Sequence, residues 1–278
     1  PFFKLIWFLI LGNSPFEEFM QRFQIYNTMI LIVSLMIGSV CFAGGNETIP
    51  SLNTILHSYI LDKSNLPAEH EREYSIKKFY YQIQYQSQKL QILNEVKGHF
   101  EKSISKAEEK YDEGEEDISQ SDITKLKLGL AGTLNDKFGV EADLQISRLS
   151  LFEILKNKYE PEAKLLEPNI VPVEFDFDEY QKWCCQGSEL SDVVSLKKSF
   201  LKVIEASKKM KLARKNRKIT RALLVSEAAN YDFGIGDSAD LFQALIIYTR
   251  VLSGYYESVY KFNLSVAGLN RDKHIWMK

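Results

Sequence analysis

Leu241, Leu245, Tyr248, Leu252, Tyr255, Val259, Phe262, Val266 and Leu269 recur in unbroken steps of four and three. That spacing keeps one seam of a helix against a partner over about 40 Å, at about 1.5 Å rise per residue. It predicts a long packed helix at the end of the chain. A second seam runs through Phe79, Ile83, Gln86, Leu90, Leu93, Lys97, Phe100, Ile104, Ala107 and Tyr111, with only Gln86 and Lys97 polar. That is a helix of about 50 Å. Gly114 to Ser121 interrupts it, and Ser119 or Ser121 can cap the next helix by accepting from its free N–H groups. Apolar positions then return as Ile123, Leu126, Leu130, Leu134, Phe138, Ala142, Ile146, Leu149, Phe152 and Leu155, so two long helices joined by a short turn make a hairpin.

The same plan is repeated downstream. Val193, Leu196, Phe200, Val203, Ser207 and Met210 have helical spacing, which continues to Tyr231; Gly234 and Gly236 make a second turn, and the final helix closes a second hairpin. Tyr-Asp-x-Gly-x-x-Asp occurs at both turns, from Tyr111 and from Tyr231. Pro161, Pro168 and Pro172 lie between the repeats. Val171 to Asp178 alternates like a strand, but Pro172 demotes it to an edge or extended segment. The fold class predicted is mainly α, with duplicated long antiparallel, coiled-coil-like helical hairpins and little or no β-barrel. The divisions are 1–43, an upstream segment and an export signal from Met20; 44–159, the first hairpin repeat; 160–190, a linker; and 191–278, the second repeat. Gly254, Ser258 and Ser265 lie off the last helix's seam, and such small residues would let another helix approach closely.

The signal reading rests on a basic start after Met20, an apolar stretch from Met29 to Ala43 and the small residue Ala43 as the cleavage position. About fifteen apolar residues are short for a membrane span, which needs about twenty. Cys41 would leave with the signal, and the adjacent Cys184 and Cys185 read as two partly buried thiols.

A net charge of −2 gives no global field toward a polyanion, so charge matters only in clusters. Glu108, Glu109, Asp112, Glu113, Glu115, Glu116 and Asp117 lack the alternating ligand order of a calcium loop and read as a solvated hairpin tip. Lys208, Lys209, Lys211, Arg214, Lys215, Arg217, Lys218 and Arg221 are eight cations in fourteen residues. Without interleaved aromatics, and with an export signal, they read as a solvated face or a contact for anionic headgroups, ahead of a nucleic-acid surface. His57, His70, His99 and His274 have no metal-ligand spacing, Gly234-Ile235-Gly236 follows a helix and is too short for a phosphate loop, and there is no nucleophile elbow. The expectation is a non-enzyme with no cofactor, metal site or catalytic residue.

The run Leu223 to Asp237, followed by Asp240-Leu241, Ala244-Leu245, Tyr248 and Tyr260 to Leu269, resembles the C-terminal hairpin of the TolC outer-membrane efflux family. The first half, with Tyr111 to Gly114, Ser119, Asp122-Ile123 and Lys125 to Leu128, is similar to the family's other hairpin. The resemblance covers roughly 79–158 and 190–271. It implies an obligate homotrimer forming a periplasmic tunnel continued by an outer-membrane barrel, docked at its hairpin tips to a periplasmic adaptor protein and an inner-membrane pump that supplies the energy. Gly114, Ser119 and Asp122, with Gly234, Gly236 and Asp240, would then be the adaptor-facing tips. No strand pairs of the length a barrel needs are visible before Phe79 or between Arg214 and Ala222, which makes the chain a truncated or degenerate member or a fragment. Three functions follow: a passive channel of a tripartite efflux or type I secretion system; a non-conducting periplasmic helical bundle; and, were the signal unused, a cytosolic nucleic-acid binder.

Overall fold

The computed structural model describes residues 46–60, 66–114, 118–183 and 190–276. The expected export signal, residues 1–19 and the Cys184–Cys185 pair lie outside the described residues. The elements are β1 (Asn46–Ile49), α1 (Leu52–Ile60), α2 (Leu66–Asp112), α3 (Gln120–Ile154), β2 (Tyr159–Leu165), α4 (Phe177–Trp183), α5 (Leu190–Asp232) and α6 (Ser238–Trp276). Four long helices dominate, and no helix among the described residues is long and apolar enough to cross a membrane.

α2 begins well before Phe79 and its 47 residues span about 70 Å. Its predicted seam is observed: Ile83, Gln86, Leu93, Phe100, Ile104 and Ala107 are buried. Gln86 is tolerated in that seam because its Oε1 accepts from the buried Ser147 hydroxyl of α3 at 2.8 Å, which removes the cost of an unpaired amide. α5 runs unbroken for 43 residues through the basic run. α6 buries all nine residues of its seam.

α3 departs from expectation. Its buried face is Ile123, Leu126, Gly129, Thr133, Val140, Leu144, Ser147 and Leu151, whereas Phe138, Ile146 and Leu149 are exposed. The larger apolar residues drew the predicted seam across from the inner face to the outer one. Gly129, Thr133 and Ser147, small or weakly polar, hold the true face because α2 and α6 approach closely there. A Cβ on Gly129 would stand 2.6 Å from the Phe100 ring and 2.8 Å from that of Phe242.

The hairpins are α2 with α3 and α5 with α6, and α2 packs on α6, so the order across the molecule is α3, α2, α6, α5. Tyr85 stacks on Tyr260 at 5.7 Å and Phe100 meets Phe242 at 6.1 Å across the central seam. α3 and α5 form the two outer edges.

Residues 160–183, within the segment between the two hairpins, carry a strand and a short helix. α3 ends through Lys156 and Asn157, both at positive φ, with the Arg72 guanidinium donating to the Ile154 carbonyl at 3.0 Å. β2 then pairs in parallel with β1, Asn46 opposite Tyr159 and Ile49 opposite Leu165, with an irregularity between Asn46 and Thr48. Residues 171–176 have no regular secondary structure and no strand pairing, and α4 follows. Amide side chains fasten this connection to the bundle. Gln84 donates to the Glu167 carbonyl at 2.6 Å. The buried Asn263 donates to the Val171 carbonyl at 2.8 Å and accepts from the Val173 N–H at 2.9 Å.

Candidate functional site

The two hairpin turns share local chemistry. α2 closes at Gly114, whose φ of +79° is in the left-handed region that glycine enters without Cβ strain, and the Gly114 N–H donates to the Tyr111 carbonyl at 3.1 Å. Ser119 caps α3 with a reciprocal pair: the Asp122 N–H donates to Ser119 Oγ at 3.3 Å, and the Ser119 N–H donates to Asp122 Oδ2 at 3.2 Å. The Ser119 hydroxyl bond is the largest cause holding the Asp122 carboxyl below the usual range, and Lys125 adds to it. At the second turn Gly234 has φ of +73°, and the Ile235 and Gly236 N–H groups both donate to the Asn230 carbonyl, at 2.9 and 3.1 Å. Asp237 caps α6 by accepting from the Asp240 N–H at 2.8 Å. Each of the six residues singled out from sequence thus lies in or beside a turn.

The structure brings the two turns together at one end of the bundle. The Tyr231 hydroxyl donates to the Ser103 carbonyl at 3.2 Å, and the Lys106 ammonium donates to the Tyr231 and Asp232 carbonyls at 3.1 and 2.6 Å. Lys102 pairs with Asp232 at 2.7 Å. α2 therefore grips the final turn of α5. The repeated motif is unequal in its two settings: Tyr231 is buried, and burial pushes its phenol up, whereas Tyr111 is exposed.

Two residues of this end carry an unexpected property. Phe233 and Ile235, flanking Gly234, are 79% and 81% exposed, amid the exposed Asp232 and Asp237. Such large side chains held out in a turn suit a contact surface better than a solvated loop. Sequence reading took this run as a turn because its glycines dominate. The usable signal was two bulky apolar residues where turns are ordinarily polar.

The edges form a second candidate surface. On α3, Leu128, Ala131, Asn135, Phe138, Ala142, Gln145 and Leu149 are all exposed and fall in strict three–four steps. On α5 the same holds for Val194, Lys198, Leu201, Glu205, Lys208, Leu212, Lys215, Ile219 and Ala222. Each row has the period of a packed seam. The outward row of α6, Gln243, Ile247, Arg250, Gly254, Glu257 and Lys261, is by contrast mostly small or polar. Gly254, Ser258 and Ser265 line a trough of about 480 Å³ against Ala206 and Ala213 of α5. Among the described residues no group of His, Cys, Asp and Glu could hold a metal ion.

This architecture of paired long hairpins is shared with solved outer-membrane proteins. It is similar to the outer-membrane channel OprN, with a TM-score of 0.59 at 11% identity, over 80% of this chain and 69% of that one. It is equally similar to the outer membrane protein VceC of Vibrio cholerae, with a TM-score of 0.59 at 11% identity, over 80% of this chain and 74% of that one. No family model matches the sequence, and no curated protein matches it. At this identity the likeness establishes the fold: helical hairpins of the TolC type.

Proposed function

We propose that this chain is one protomer of a TolC-family outer-membrane channel that serves a tripartite efflux or type I secretion system as a passive conduit. The observation that carries this is the pair of exposed heptad rows on α3 and α5. Both edges of the four-helix array present a packing seam against which none of the described helices of the chain lies. The two edges differ, so one joins the other head to tail, and repetition closes a ring. Three copies make the ring in this reading, and the tips around Gly114, Ser119, Asp122, Gly234, Gly236 and Asp240 meet a periplasmic adaptor linked to an inner-membrane pump. Phe233 and Ile235 supply apolar contact there.

Contacts already described set the heights at which the edges meet. Gln86 meets Ser147 on α3 and the adjacent Tyr85 meets Tyr260 on α6, while Arg217 of α5 stands over Tyr255 at 4.4 Å. Counting along the antiparallel helices brings Phe138 level with Ala222 of the outward row of α5. With Cys41, Cys184 and Cys185 replaced by serine, Phe138→Cys combined with Ala222→Cys should give oxidised bands of two and three copies and none larger. Crosslinks from either single variant alone, or none from the pair in outer-membrane fractions, would refute the ring.

A second reading, a non-conducting periplasmic bundle derived from that family, is favoured by the strands. Among the described residues β1 and β2 have 4 and 7 residues, below the roughly 9–11 of a membrane-spanning strand. Conductance of the crosslinked trimer in planar bilayers separates the two: stepwise current supports the channel, and a water-soluble trimer without current supports the bundle.

A further inference from the structure

The basic run of α5 is left unexplained by an assembly of hairpins. Lys211, Arg214, Lys218 and Arg221 follow one another at three–four–three spacing, which places them in one stripe along the helix. Among the described residues, Lys209 alone of the eight cations between Lys208 and Arg221 forms an ion pair, with Glu205. Like charges one turn apart destabilise a helix, so the stripe costs stability that no carboxylate among the described residues offsets.

Beside the stripe lies a trough of about 720 Å³ between α5 and α6, lined by Arg217, Lys218, Arg221, Ala222, Val225, Ser226, Leu252 and Tyr256. Three cations and an apolar wall therefore share one concavity. Arg217 is held in place by stacking on Tyr255, and such an arginine is pre-organised for an anion. The volume lies within the range of small-molecule sites, about 300–1,000 Å³. The part of α5 that lines it is ten residues long, about 15 Å, which a partner helix of several turns would overrun.

We infer that this trough binds a compact organic anion, a sulfonate, carboxylate or phosphate joined to a ring-sized apolar body. The headgroup meets Arg217, Lys218 and Arg221, and the body lies against Val225, Leu252 and Tyr256. An inorganic anion would leave the apolar wall unused. The headgroups of a flat bilayer would meet the rim and leave the floor empty. Every residue it uses belongs to one protomer, so the inference does not require the ring, although Ala222 at the trough's edge also belongs to the outward row of α5.

The test is calorimetric titration of the full chain with 2-naphthalenesulfonate, inorganic sulfate and 2-naphthylmethylammonium, together with co-sedimentation on phosphatidylglycerol vesicles. The sulfonate should bind saturably with Kd on the order of 0.1 mM, and more weakly in high salt. Lys218→Gln with Arg221→Gln, both exposed positions, should weaken it roughly tenfold while leaving the helical circular dichroism unchanged. Arg217→Lys, which keeps the charge and loses the planar fork, should weaken it less, and the remote Arg271→Gln should leave it unaltered. Equal binding of the ammonium analogue, sulfate binding as tightly as the naphthalenesulfonate, or unchanged affinity in the double variant would overturn the inference. So would vesicle binding that the double variant abolishes when the sulfonate does not bind.

Discussion

Replacing Gly129 with alanine tests the close approach at the centre of the bundle. A Cβ there would stand 2.6 Å from two atoms of the Phe100 ring and 2.8 Å from the Phe242 ring. Phe100 is fully buried and abuts the half-buried Phe242, so the Phe100 ring has no open space to turn into without displacing its neighbours. Overpacking of this kind costs about 1–3 kcal/mol, against a gain of about 1 kcal/mol from replacing a mid-helix glycine. The net expectation is destabilisation of up to about 2 kcal/mol. Gly139 lies about three turns further along the same helix, and a Cβ there would have nothing within 4 Å, so Gly139→Ala has only the propensity gain and should stabilise by up to about 1 kcal/mol. Urea titrations followed by circular dichroism should move the two midpoints in opposite directions. Phe242→Leu should recover part of the loss in the Gly129→Ala background. If Gly129→Ala gains as much stability as Gly139→Ala, the three helices are not in the close contact described.

Further expectations concern polar pairs and pH. Ser147→Ala removes the donor to the buried Gln86 and should cost about 1–3 kcal/mol in urea unfolding, much of it regained when Gln86→Leu is added. Ser119→Ala should cost about 1 kcal/mol; because Asp122 is held low in the folded chain, the capping contribution is present at neutral pH and fades on acidification as that carboxyl is protonated. At the alkaline end, burial pushes the Tyr81, Tyr85, Tyr248 and Tyr260 phenols up to about 12 from an ordinary 10. The unfolded chain then loses those protons first, so stability should fall as pH rises from about 10 to about 12. Tyrosinate absorbance should appear together with loss of helix, and titration of these phenols near their ordinary value in a folded chain would contradict their burial.

The helices were legible wherever large apolar residues carried the seam. α6 was read residue for residue and α2 along its central seam, since Phe100, Leu93, Tyr248 and Val259 both look apolar and are buried, but the start of α2 at Leu66 and its buried Tyr80, Ile92 and Val96 were not. α3 was read as a helix but turned to the wrong side, because Phe138, Ile146 and Leu149 outweigh Gly129, Thr133 and Ser147 in any hydrophobic count. Both seams are real, one facing this chain and one facing outward, and sequence alone does not rank them. β2 was hidden by Pro161, although Tyr159, Pro161, Ala163 and Leu165 alternate with Glu160, Glu162 and Lys164. Its partner β1 is four residues long and has too little pattern to read. The turn residues were found through glycine and capping chemistry, which is local. Their meeting at one end depends on Lys102, Lys106 and Ser103 reaching Tyr231 and Asp232, contacts between residues more than a hundred positions apart.

The parallel pairing of β1 with β2 bears on the order in which the chain folds. Each hairpin zips from its own turn, joining residues near in sequence, and can form early. β1 must wait until the whole α2–α3 hairpin has doubled back and delivered Tyr159 beside Asn46, closing a loop of more than a hundred residues. The strand pair is thus a late-forming clasp on an early-forming hairpin, and damage to Ile49 or Tyr159 should speed unfolding while leaving the folding rate of the helices almost unchanged.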